Sequence, residues 1–199
     1  MMLSKKKGFS LVEVMVVIAI MTILMMAAIS SFTFYYKTFA ETRLTNLQKL
    51  TEYSVIRVRS DGETVIVCAA DAEASFDKQG KLDSNTFKCF TGKDDTRWGD
   101  RPIVAFESPN GNIIYNAANG DTIIGNLGEG HDENLYINLS GNPSYVKISP
   151  NGFMATGNGN ITYCDRTNKY QAALIINLVG RVIYTDSQAK ESGGLYTCE

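Results

Sequence analysis

Residues 1–34 read MMLSKKKGFSLVEVMVVIAIMTILMMAAISSFTF, a short basic head followed by an apolar stretch from Phe9 to about Phe34 with few interruptions. A helix needs ~20 apolar residues to cross a bilayer, and this stretch is long enough. Lys5, Lys6 and Lys7 stand immediately before it. By the positive-inside bias they hold the head in the cytoplasm and send everything after Phe34 outward. An ordinary secretory signal has a shorter apolar core that ends in small residues at a cleavage site. Here the core is longer and ends in aromatics: Phe32, Phe34, Tyr35 and Tyr36.

Nothing obliges a helix begun at Phe9 to stop at the membrane surface, because no proline precedes Pro102 and no glycine falls between Gly8 and Gly62. Beyond the apolar run, Phe39, Leu44, Leu47, Leu50 and Val55 recur at three- to five-residue spacings among Lys37, Glu41, Arg43, Lys49 and Glu52. That is the pattern of a helix with one face against a domain. A single helix over residues 9–61, transmembrane to about 34, is expected, with Asp61-Gly62 as its stop.

After Gly62 the pattern changes to short β-rich runs: Thr64–Cys68, Thr86–Phe90, Ile103–Phe106, Ile113–Tyr115, Leu135–Leu139, Val146–Ile148, Ile161–Cys164, Ala172–Leu178 and Val182–Tyr184. Asn110-Gly111, Asn119-Gly120, Gly141-Asn142, Asn151-Gly152 and Gly157-Asn158-Gly159-Asn160 separate them with residues that accept positive φ. Mostly antiparallel meanders follow from that punctuation. The fold class is therefore α+β: a long N-terminal helix packed on an antiparallel β domain over residues 62–199.

Bulk composition narrows the function. The formal charge is −2. Without Met1–Gly8, which holds three of the nineteen Lys and Arg and no acid, sixteen basic residues face twenty-one acidic ones, or −5. An acidic chain argues against nucleic acid as the main partner. Cys68, Cys89, Cys164 and Cys198 show no CxxC spacing and have a single histidine, His131, for company, which disfavours zinc. An even cysteine count behind an export segment suits two disulfides in an oxidising compartment. Of the three possible pairings, Cys68 with Cys89 and Cys164 with Cys198 is preferred, because each closes a local loop.

Lys7-Gly8-Phe9-Ser10-Leu11-Val12-Glu13, followed at once by the apolar helix, resembles the class III signal of type IV prepilins and type II secretion pseudopilins. The resemblance implies a leader, residues 1–8, cut after Gly8 by a prepilin peptidase in the inner membrane, and N-methylation of Phe9. Glu13 is then the assembly residue. A carboxylate in a lipid-facing helix costs ~2.5–3.5 kcal/mol on insertion scales and so has a partner or a function. The resemblance supplies a partner in the Phe9 amine of the same or a neighbouring subunit.

A sparser likeness covers the remainder. Ser149-Pro150-Asn151-Gly152-Phe153, Gly159–Cys164, Ala173–Asn177 and Gly180-Arg181-Val182 are similar to the C-terminal half of the GspH/FimT/FimU group, and most to FimU. This implies a minor pilin that helps prime pilus assembly at or near the tip, with other minor and major pilins as partners. Its alternatives are a minor pseudopilin of type II secretion and a FimT-like DNA-uptake pilin. DNA-binding members carry GRxR, whereas here Ile183 takes the place of the second arginine, which leaves Arg181 as the one candidate DNA contact and removes a phosphate contact.

Neither an enzyme nor a cofactor or metal protein is expected. His131 lies in Gly128-Glu129-Gly130-His131-Asp132-Glu133, an acidic stretch that reads as a solvated loop. It lacks the alternating acidic pattern of a dedicated calcium loop, and Asp94 and Asp95 are equally weak as ligands. No nucleophile has a base beside it in sequence.

Overall fold

The computed structural model describes residues 10–71, 86–91, 97–130 and 134–198, apart from the side chains of 28–33 and of Thr86. The elements are α1 (Leu11–Asp61), β1 (Val65–Ala69), β2 (Thr86–Lys88), β3 (Arg97–Gly99), β4 (Ile103–Glu107), β5 (Ile114–Asn116), β6 (Thr122–Leu127), β7 (Asn134–Leu139), β8 (Tyr145–Ile148), β9 (Gly159–Cys164), β10 (Tyr170–Ile176) and β11 (Val182–Thr185). The α+β class expected from sequence is the class found. The chain forms two compact units, Met1–Thr38 and Phe39–Glu199. α1 ends where Gly62, at φ 73°, donates its N–H to the Val58 carbonyl at 2.9 Å. A left-handed residue there satisfies a carbonyl that the helix leaves open.

In the second unit a four-stranded sheet runs β6-β4-β1-β8 and a five-stranded sheet runs β11-β10-β9-β7-β3. A two-stranded ribbon joins β2 to β5, and every pairing is antiparallel. The helix packs its Ala40, Leu44, Leu47, Leu50, Val55 and Val58 into one core with both larger sheets. Thr51 and Ser54 are buried in the same stripe, and their hydroxyls donate to the carbonyls four residues back at 2.8 Å, so no polar atom of theirs is stranded. Arg57 reaches across to Glu107 of β4 at 3.0 Å, and Gln48 donates to the Val182 carbonyl of β11 at 3.1 Å. These contacts fasten α1 to one strand of each sheet.

β1 is buried along its whole length. Val65, Val67 and Ala69 face the helix-side core. Ile66 and Cys68 face a second core with Phe87, Cys89, Phe106 and Tyr115, under the β2–β5 ribbon. Phe87 stacks on Tyr115 with centroids 5.0 Å apart, and Phe106 stands edge-on to both. A strand covered on both faces reads as a continuous apolar run rather than an alternating one.

Four expectations need correction. Phe39 is exposed, and the small Ala40 takes its core position. β3 and β6 are strands that the sequence pattern does not announce. β3 is a three-residue element around fully buried Trp98, whose indole N–H donates to the Ser144 carbonyl at 2.7 Å. β6 carries Gly125, where a Cβ would lie 2.6 Å from Leu50 Cδ1, so the glycine lets the helix press onto the strand. Simple meanders are not the rule either. Gly111, Gly120, Gly141, Gly152 and Gly157 all take positive φ as their turn chemistry requires. Yet Gly141-Asn142 carries the chain from β7 in one sheet to β8 in the other instead of closing a hairpin. The tight hairpins are β9–β10 and β10–β11, turned at Asn168 (φ 62°) and Gly180 (φ 82°).

Candidate functional site

At the start of α1, the Glu13 N–H meets the Ser10 carbonyl at 3.1 Å and the Ser10 hydroxyl at 3.3 Å. Ser10 thereby caps the helix, and Glu13 stands in the first turn, where a carboxylate complements the positive end of the helix dipole. Ser10-x-x-Glu13 also has the spacing of a capping box. From sequence, Glu13 reads only as a carboxylate in want of a partner. The serine three residues before it is the signal for this additional local role. Gly8 and Phe9, the expected processing pair, lie outside the described residues.

All side chains described between Ser10 and Ala27 are exposed, among them Leu11, Val12, Met15, Ile18, Ile23 and Leu24. A soluble surface rarely carries so large a contiguous apolar area without a partner for it. Among the described residues, no helix is long and apolar enough to cross a membrane.

The second unit holds the disulfides Cys68–Cys89 and Cys164–Cys198, with Cα separations of 5.6 and 6.0 Å. They are the two local pairs. The first links β1 to the residue just past β2. The second ties the chain end to β9. Between β11 and Cys198 the chain folds back as a strap: Ala189 bridges Leu195, and the Tyr196 N–H donates to the Gln188 carbonyl at 2.9 Å. Tyr196 is buried and stacks on Tyr170, centroids 6.0 Å apart. Burial, with Glu191 adding to it, pushes the Tyr196 hydroxyl pKa up. The strap was not legible beforehand, since a single tyrosine among Gly, Ser and Thr carries no periodic signal.

Arg181 is exposed in the β10–β11 turn, where its N–H donates to Asn177 Oδ1 at 2.8 Å. A Cβ on the preceding Gly180 would come within 2.9 Å of the Gly152 carbonyl oxygen and 3.2 Å of a Val55 methyl. The glycine is therefore a packing requirement between turn and helix. Arg59 comes to the same turn and donates to the Val179 carbonyl at 3.4 Å. Ile183, two residues beyond Arg181, is exposed as well.

His131, Asp94 and Asp95 lie outside the described residues. Among the described residues no group of three or more His, Cys, Asp or Glu side chains is placed to hold a metal ion. Among curated proteins and among solved structures, nothing matches the chain. Residues 3–29 match the family described as the prokaryotic N-terminal methylation motif, a finding that supports a class III, type IV pilin-like signal at this N-terminus.

Proposed function

We propose that the chain is a minor type IV pilin: a single-pass inner-membrane precursor cut after Gly8, methylated on Phe9, and built into a filament through its N-terminal helix. The observation that carries the reading is the methylation motif over residues 3–29, set at the head of a helix whose described side chains from Ser10 to Ala27 are all exposed and mostly apolar. Lipid first and neighbouring pilin helices later would cover that surface. Glu13 would then meet the Phe9 amine of a neighbour in a medium where unscreened charges attract strongly. The α+β second unit and its disulfides are compatible with life on the oxidising side of the membrane. A role in priming assembly near the tip rests on the likeness to the FimU group. DNA uptake is disfavoured by Ile183 at the second basic position and by the acidic balance of the chain after Gly8.

Mass spectrometry of filaments sheared from the native host should find this chain without its first eight residues and with one added methyl group. An intact leader in assembled material defeats the reading. Gly8→Leu should leave uncut precursor in the inner membrane. Immunogold labelling should mark filament ends sparsely, whereas labelling along the whole fibre would instead make this a major subunit.

A further inference from the structure

The outer face of the five-stranded sheet carries a cleft that no part of the pilin reading uses. Ile161, Tyr163, Leu174 and Ile176 point into the core, so by the pleat their neighbours Asn160 and Ile175, paired in register across β9 and β10, face the other way. Asn138 of β7 lies opposite Asn160 on its other side. The cleft has a volume of about 360 Å³ and is bounded by Asn158, Asn160, Ile175, Asn177, Lys190 and Glu191. That volume falls in the ~300–1,000 Å³ range usual for small-molecule sites.

The amides here are oriented yet only half used. Asn177 Oδ1 accepts from the Arg181 N–H at 2.8 Å, and that N–H can only donate, so the oxygen end is fixed. Asn160 Oδ1 accepts from the buried Thr162 hydroxyl at 3.0 Å. Among the described residues, nothing takes the Nδ2 donors of either side chain, or the amide of Asn158. A neighbouring cleft of about 480 Å³, on the far side of Tyr196, offers the contrast. There Asn168 accepts from the Tyr136 hydroxyl and donates to the Cys198 carbonyl, while Gln188 donates to the Tyr196 carbonyl. Its amides hold the strap in place, whereas those of the first cleft are held with donors to spare.

We propose that the cleft between β9, β10 and the strap binds a neutral oligosaccharide. A sugar hydroxyl both donates and accepts, as a side-chain amide does, so a cluster of amides suits a run of hydroxyls. Lys190 and Glu191 bring one charge of each sign, which leaves no net field to select an anion or a cation. Half-buried Ile175 supplies an apolar floor for a C–H face of the sugar. Tyr196 serves as a wall and not as a stacking platform, because Tyr170 stacks on its ring and the Lys190 ammonium lies 5.3 Å from the ring centre.

The test uses the full mature chain in lipid nanodiscs free of glycosidic detergent, probed by saturation-transfer NMR with maltotriose, chitotriose, lactose and sialyllactose at millimolar concentration. Transfer to at least one neutral probe is expected, with affinity at least about fivefold weaker in Asn160→Asp/Asn177→Asp. Those changes keep both Oδ1 acceptors and delete both Nδ2 donors. Asn158→Ala, at an exposed position, should also weaken binding and decides the matter if the double variant loses its melting transition. No transfer to any neutral probe, transfer unaffected by the variants, or transfer to sialyllactose alone overturns the proposal. The N-terminal mass of the same preparation checks leader removal separately, so the pilin reading stands or falls on its own.

Discussion

The two parts of α1 are written in the same alphabet for different surroundings. In the first unit Leu24 and Met26 are 62% and 71% exposed, whereas in the second Leu44 and Leu47 are fully buried. From Leu11 to Ala27 every residue but Glu13 and Thr22 is apolar, so that stretch has no polar side to turn to water. The second part buries a stripe of apolar and small residues at 40, 44, 47, 50, 51, 54, 55 and 58, with Lys49, Glu52, Tyr53 and Ile56 exposed outside it. A helix apolar all round is suited to lipid or to other helices, and a helix with one stripe is suited to a sheet. Helix continuity alone thus says nothing of what a segment packs against; the distribution of polar residues around it does.

Truncating one leucine on each part should separate them most sharply. Leu47→Ala removes a fully buried side chain and should destabilise the second unit by ~2–5 kcal/mol. Leu24→Ala should leave its melting within ~0.5 kcal/mol of the wild type, as exposed positions do. Thermal denaturation of the full chain in nanodiscs, followed by near-ultraviolet circular dichroism, reads both. Equal losses would mean that the first part of the helix supports the domain after all.

The strap sharpens the contrast at slightly smaller magnitude. Replacing Cys164 and Cys198 together by serine opens a closure of 34 residues and should cost ~2–4 kcal/mol, with the loss confined to the second unit. Hydrogen exchange should quicken over β9, β10 and residues 186–198 and stay unaltered in Leu11–Thr38. Unchanged exchange in the strap would show that Tyr196 packing holds it without the disulfide.

Glu13→Val sets the smallest effect on folding against a large one on assembly. Melting of the second unit should shift by less than ~0.5 kcal/mol, since the residue is exposed and lies in the first unit. Filament yield and co-purification with other pilins should fall. Normal assembly of the variant would remove Glu13 from the interface and leave its place in the first helical turn as its whole role.

Much of the fold was readable because long-range punctuation is unambiguous: a glycine- and proline-free run up to Gly62 announces one helix, and Asp61-Gly62 its end. The core stripe was less so. Thr51 and Ser54 are polar by type and buried in fact, because a hydroxyl can be satisfied by its own helix. β6 escaped notice since Gly125, a strand breaker by propensity, is needed for Leu50 to fit. Turn residues gave the positive φ values but not the partners, as Gly141-Asn142 reverses the chain between sheets. Of the candidate site, Ser10 and Glu13 stand in a local motif and could be found by spacing. The amide cleft could not, because Asn158, Asn160 and Asn177 are brought together by register across β9 and β10 and by the fold of the strap.

The place of β1 in its sheet has a consequence for the order of events in folding. It follows α1 directly, yet it lies between β4 and β8, and its second ladder pairs Val65 with Ile148. As the chain emerges in order from its N-terminus, β1 keeps at least one open edge until more than half of the residues that follow it are out, and an open apolar edge invites pairing with the wrong strand. β9, β10 and β11, in contrast, zip as neighbours, the cheapest kind of contact to close. The Cys68–Cys89 link spans only 21 residues. It can draw the β2 region over one face of β1 early and so shield the strand that waits longest for its last partner.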